Sequence, residues 1–136
     1  MRIEHVAMWT EDLERLAAFY SMYFGASVGE RYANPAKGFA SRFLAFADGA
    51  RLELMQTESL APVRIAAGAQ RLGLTHLALT VSDDRHVDAL TERLREDGYA
   101  VVDGPRRTGD GYYESVVLDP DGNRIELAAT RETHHG

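Results

Sequence analysis

The chain has 136 residues, 45% of them hydrophobic and 26% charged, which fits one ordinary globular domain and excludes a disordered or fibrous chain. It contains no cysteine, so disulfides, thiolate metal sites and cysteine nucleophiles are excluded, and only His, Asp and Glu remain as strong ligands. The net charge of −6, without a stripe of Lys and Arg, excludes a nucleic-acid partner of the ordinary phosphate-binding kind; Arg106-Arg107 is only a local pair.

Met1-Arg2-Ile3-Glu4-His5 opens without the apolar run of a signal peptide, and no segment approaches the length of a membrane span, so a cytoplasmic protein with no membrane partner is expected. Ile3 to Trp9 is an apolar run of strand length. A helix is predicted next, with Leu13, Leu16, Ala17, Tyr20 and Phe24 on one stripe, Thr10 as its N-cap and Gly25 ending it. Strands are then expected over about Ser27 to Tyr32, Ser41 to Ala47 and Arg51 to Thr57, with Asp48-Gly49 as turn chemistry before the last. Glu58 to Gly73, rich in Ala and holding Pro62, is predicted to be a linker with a short helix at Val63 to Ala69. The pattern then repeats. Leu74 to Val81 is expected as a strand. A helix follows with Val87, Leu90 and Leu94 on its stripe, Ser82 or Asp83 as N-cap and Gly98 at its end, and then strands over about Ala100 to Asp103, Tyr113 to Leu118 and Asn123 to Ala129.

The repetition is also literal. Asp48-Gly49-Ala50-Arg51-Leu52-Glu53-Leu54 is echoed by Asp121-Gly122-Asn123-Arg124-Ile125-Glu126-Leu127, and Glu4-His5-Val6-Ala7-Met8 by Thr75-His76-Leu77-Ala78-Leu79, at almost the same interval. The chain therefore reads as an α+β domain of two βαβββ modules, about 1–57 and 74–130, joined by the linker 58–73 and followed by a tail 131–136.

Side chains alternate along a strand, so each module is expected to show one apolar face to its helix and to carry a His and a Glu on the other. His5 lies with Ala7 and Trp9 against Val6 and Met8; Glu53 lies with Arg51 and Met55 against Leu52 and Leu54; His76 and Glu126 repeat the arrangement. A single strand His is ordinarily a hydrogen-bonded residue, and a Glu beside Arg a solvated pair. Their recurrence at one spacing argues for ligation, since a carboxylate buried without a partner costs several kcal/mol. Two nitrogens and two oxygens suit one first-row divalent ion, and softness alone does not choose among Ni, Co, Zn, Mn and Fe. His86 reads as a solvated residue at a helix start, and His134-His135 as a frayed tail. Trp9, Phe39, Phe43, Tyr112 and Tyr113 read equally as core or as the lining of an apolar pocket, and 34–38 and 109–111 as turns or as flaps.

The paired modules, the early His5 and the run Asp119-Pro120-Asp121-Gly122-Asn123-Arg124-Ile125-Glu126-Leu127 resemble the vicinal oxygen chelate superfamily, which holds glyoxalase I, extradiol dioxygenases, CoA-ester epimerases and bleomycin-resistance proteins. The resemblance implies a curled mixed sheet around a metal site, helices on its outer face, and a homodimer in which His5 and Glu53 of one chain meet His76 and Glu126 of the other. The complete His, Glu, His, Glu set is similar to that of glyoxalase I, which implies a lyase or isomerase acting on a small vicinal-oxygen substrate such as a hemithioacetal, with Glu126 and Glu53 as candidate bases. An antibiotic-binding protein, a dioxygenase and an epimerase are the alternatives. In the bacterial glyoxalases it resembles, an Arg that holds a glutathione carboxylate stands at the position of Trp9 and an Asn at that of Thr57, while Arg107 falls where a basic substrate-holding residue is expected. The family resemblance thus implies the metal chemistry and leaves the thiol partner open, with Trp9, Thr57, Arg107 and Phe43 as candidate substrate contacts.

Overall fold

A computed structural model describes residues 1–130, so the tail call on His134-His135 lies outside the described residues. The chain divides into two compact units, Met1–Arg64 and one beginning at Ile65, and the division falls within the 58–73 segment.

In the first unit β1 (His5–Trp9), β5 (Arg51–Gln56), β4 (Phe39–Ala45) and β2 (Ser27–Val28) lie side by side, with β3 (Tyr32–Asn34) also on β4. β1 runs parallel to β5, and β4 is antiparallel to its neighbours. Helix α1 (Leu13–Phe24) packs on β2, β4 and β5 through Leu13, Leu16, Ala17 and Tyr20, all nearly inaccessible, and meets Leu44, Leu52 and Leu54 on the covered face of the sheet. In the second unit β6 (Leu77–Val81), β9 (Arg124–Ala129), β8 (Tyr113–Leu118) and β7 (Val101–Arg107) repeat the order, again with one parallel pair. Helix α2 (Asp84–Glu96) covers this sheet with Val87, Leu90 and Leu94 against Val117, Ile125 and Leu127. The α+β class and the two-module plan are borne out as two open mixed sheets, each with one helix on one face.

Several local expectations are corrected. Asp12, not Thr10, caps α1, its carboxylate accepting from the Arg15 N–H at 3.0 Å; Thr10 is buried two residues earlier and accepts from the Asp12 N–H. Asp83 is the cap of α2, accepting from the His86 N–H at 2.8 Å. No helix forms over 63–69. Below about 12–15 residues an Ala-rich stretch is not held by its own propensity, and these residues are mostly exposed with no stripe to bury. They form a turn, with the Ala69 N–H donating to the Ala66 carbonyl at 3.0 Å and Arg124 donating to that of Gly68 at 2.7 Å. The strand expected over 27–32 is broken at Gly29, whose N–H donates to the Phe43 carbonyl at 2.8 Å. β7 extends to Arg107, past the end expected at about Asp103, because register shifts between Asp103 and Arg106 absorb Gly104 and Pro105.

Candidate metal centre

The His residues sit at strand ends, not in strand centres as expected. His5 is the first residue of β1, and His76 lies immediately before β6 because Leu74 and its neighbours are exposed and give the strand nothing to pack on. The two positions are still equivalent. His5 is in register with Arg51, and one step beyond the Leu77 and Ile125 pair sets His76 opposite Arg124.

Each unit closes a His–Glu pair across its parallel strands. His5 Nε2 is 3.8 Å from Glu53 Oε1, and His76 Nε2 is 3.1 Å from Glu126 Oε2. The carboxylates are 19% and 17% exposed, and the imidazoles 39% and 34%, so each pair sits at the edge of solvent with the carboxylate deeper. In the first unit, the other ring nitrogen of His5 lies 3.3 Å from Glu4 Oε1, an arrangement that orients the ring and turns Nε2 toward Glu53. Glu4 is in turn held by Arg51, whose guanidinium keeps the Glu4 carboxyl below the usual carboxylate range. Among the described residues no group of three or more His, Asp or Glu converges; each unit brings together one His and one Glu.

The Glu126 strand is positioned by the turn before it. Asp119 accepts through Oδ1 from the N–H groups of Asp121 and Asn123, each at 2.9 Å, and through Oδ2 from the Asn123 amide at 2.8 Å. This is the structural content of the Asp-Pro-Asp-Gly-Asn run: a buried Asp at its start replaces backbone partners and launches β9 in fixed register.

One residue of the site escaped the sequence analysis. Glu114 on β8 shares the face of Glu126, because Val116 is in register with Glu126 and Glu114 stands two residues before it. Burial first, and then the Glu126 carboxylate, raise the Glu114 carboxyl from 4.5 to about 7. No local sequence signal marks it; the register of β8 on β9 is what sets it on the face of Glu126.

The candidate substrate contacts divide. Phe43 is in register with Glu53 and packs edge-on to His5, the ring centroids 5.4 Å apart, with Arg51 over its ring at 4.2 Å. Trp9 is on the same face of β1 as His5 and is 49% exposed. Thr57 is the half-buried residue just after β5. Arg107 is engaged: it pairs with Asp84 at the start of α2 and lies 5.1 Å over the Tyr113 ring, whose hydroxyl donates to Asp88 at 2.6 Å. Tyr112 is exposed at the turn before β8.

A fold of twinned βαβββ units with a His–Glu pair in each matches one family model, Glyoxalase/Bleomycin resistance protein/Dioxygenase superfamily, over residues 2–127. The chain belongs to this superfamily. It is 28% identical over 138 residues to lactoylglutathione lyase of Salmonella typhimurium, covering 100% of this chain and 98% of that protein. It is 30% identical over 129 residues to catechol-2,3-dioxygenase of Bacillus subtilis, covering 95% of this chain but 41% of the dioxygenase. Among solved structures, a glyoxylase/bleomycin resistance protein/dioxygenase domain from Frankia sp. EAN1pec superposes with a TM-score of 0.80 at 21% identity, covering 99% of this chain and 96% of that one, which supports the fold. No helix among the described residues is long and apolar enough to cross a membrane.

Proposed function

We propose that this chain is a divalent-metal-dependent lyase or isomerase of the glyoxalase I kind, working as a homodimer on a small substrate with two neighbouring oxygens. The observation that carries the proposal is the matched pair of half-sites, each an imidazole Nε2 facing a carboxylate, at 3.8 Å and 3.1 Å. The donor set fits one ion of Ni, Co, Zn, Mn or Fe, held by His5 and Glu53 of one subunit with His76 and Glu126 of another. Such an ion, when bound, supplies Lewis-acid polarisation of the substrate oxygens.

The chain's own residues do the rest. Glu4 fixes the His5 ring, and Phe43 walls it on one side, so the imidazole is set before substrate arrives. Glu126 and Glu53 are the bases: one takes the proton from a hydroxyl-bearing carbon beside a carbonyl and returns it to the former carbonyl carbon, while the hydroxyl proton passes to the former carbonyl oxygen, so the substrate is isomerised without gain or loss of atoms. In the metal-free chain, burial and the Glu126 carboxylate raise the Glu114 carboxyl to about 7, so Glu114 favours its protonated form beside that base below this pH.

The test is metal content after purification, then assay of the methylglyoxal–glutathione adduct with Ni, Co or Zn restored. Isomerisation that depends on the added metal is expected; a tightly metallated protein inert toward this adduct and other vicinal-oxygen compounds would contradict the proposal. A second assignment, cleavage of an aromatic diol, is favoured by the 30% identity to catechol-2,3-dioxygenase. It makes Glu53 dispensable, so Glu53→Gln separates the two.

A further inference from the structure

The open face of the first unit's sheet carries a row of side chains that the second unit does not reproduce. Residues in register point to one face, so the row through Ala7, Glu53 and Phe43 is followed by Trp9, Met55, Ser41 and Tyr32, two residues farther along the strands. That step is about 7 Å. Phe39, at the start of β4, stands edge-on to Trp9 with centroids 6.2 Å apart and close to Tyr32 at 6.1 Å. Trp9 and Tyr32 are 49% and 58% exposed. The corresponding row of the second unit holds Thr80, Ala128, Glu114 and Arg106, with no aromatic at the positions of Trp9 and Tyr32, although Tyr112 stands where Phe39 does. Both units build the same sheet, so folding does not require the aromatic row.

We propose that Trp9, Tyr32 and Phe39 form a subsite for a planar apolar group of the substrate, with Trp9 and Tyr32 one side-chain row from Glu53 and Phe39 two. The inference rests on the metal-dependent function proposed above and names its substrate class. Edge-to-face rings leave their π faces open to a further ring, and such contacts add to simple area burial. A carboxylate would find no cation in this row, and Arg51, two rows from Trp9, is already engaged by Glu4 and by the Phe43 ring. The subsite therefore selects a vicinal-oxygen compound with an aryl or similar flat substituent over one with a charged peptide arm.

Trp9 is the single tryptophan and reports on its own site by fluorescence. Benzohydroxamate and acetohydroxamate offer the same pair of oxygens with a phenyl or a methyl group, and both are titrated into the Co-loaded protein. The expected result is a change in Trp9 emission with benzohydroxamate only and a preference for it of at least about tenfold, the scale of burying one ring. Phe39→Leu and Tyr32→Ala should each lower that preference several-fold while the Co affinity, read from its visible absorption, stays at the parental value. Equal affinities for the two probes, or a preference untouched by both variants, would overturn the subsite while leaving the metal site standing. A protein that fails to bind Co overturns the proposed function instead. The subsite is then read on the metal-free protein, where a benzohydroxamate-induced emission change sensitive to Phe39→Leu supports it and an unchanged spectrum refutes it.

Discussion

Replacing a ligand carboxylate by its amide keeps the shape and removes the charge, so Glu53→Gln and Glu126→Gln should each weaken Co or Ni binding by at least about tenfold, with the fold retained by circular dichroism. Two proteins that hold metal as firmly as the parent would exclude these ligands. Glu114 gives a prediction with a definite sign. Between 4.5 and about 7 the folded chain holds a proton on Glu114 that the unfolded chain has released, so this group's contribution to stability falls as pH rises through that window. In metal-free protein, Glu114→Gln should therefore gain thermal stability relative to the parent as pH is raised from about 5 to 8, the gap levelling above about 7. A gap independent of pH would show that Glu126 and burial do not perturb Glu114 as described. This residue also shows where the sequence is silent: nothing in Tyr113-Glu114-Ser115 marks a carboxylate pair until the register of β8 on β9 is known.

At the scale of elements, two glycines with similar backbone angles should respond differently. Gly98 ends α2 at φ 94° with open space where a Cβ would stand, so Gly98→Ala should cost about 1–2 kcal/mol, the price of a left-handed non-glycine residue. Gly104 has φ 72°, and a Cβ there would lie 2.5 Å from the Glu114 carbonyl oxygen, so Gly104→Ala should cost distinctly more, measured by urea unfolding. Equal losses would mean that β7 yields easily beside β8. The helices were legible because their apolar stripes recur at 3.6 residues, and the last strands because Leu52, Leu54, Ile125 and Leu127 alternate with Glu53 and Glu126. What the sequence hid was set by partners distant in the chain. The strand expected to end at about Asp103 runs on to Arg107, because Arg106 and Arg107 pair with Glu114 and Tyr113. The stretch 63–69 reads as helical until its lack of a face to bury is seen, and His76 reads as mid-strand until Leu74 is found exposed.

At the scale of the whole molecule, the central claim is that two His–Glu pairs, one per module, are halves of a single metal site completed between subunits. Both His–Glu pairs were legible from the repeat alone, because one register serves both modules. The most direct measurement mixes two disabled chains. A His5→Ala/Glu53→Ala chain and a His76→Ala/Glu126→Ala chain are purified separately, each titrated with Co, then refolded together and titrated again. Each chain alone should fail to bind Co tightly, and the mixture should recover one tight site in each mixed dimer, with Co absorption matching that of the parent. A mixture that stays as weak as its components, or a single disabled chain that binds as tightly as the parent, would contradict the shared four-ligand site.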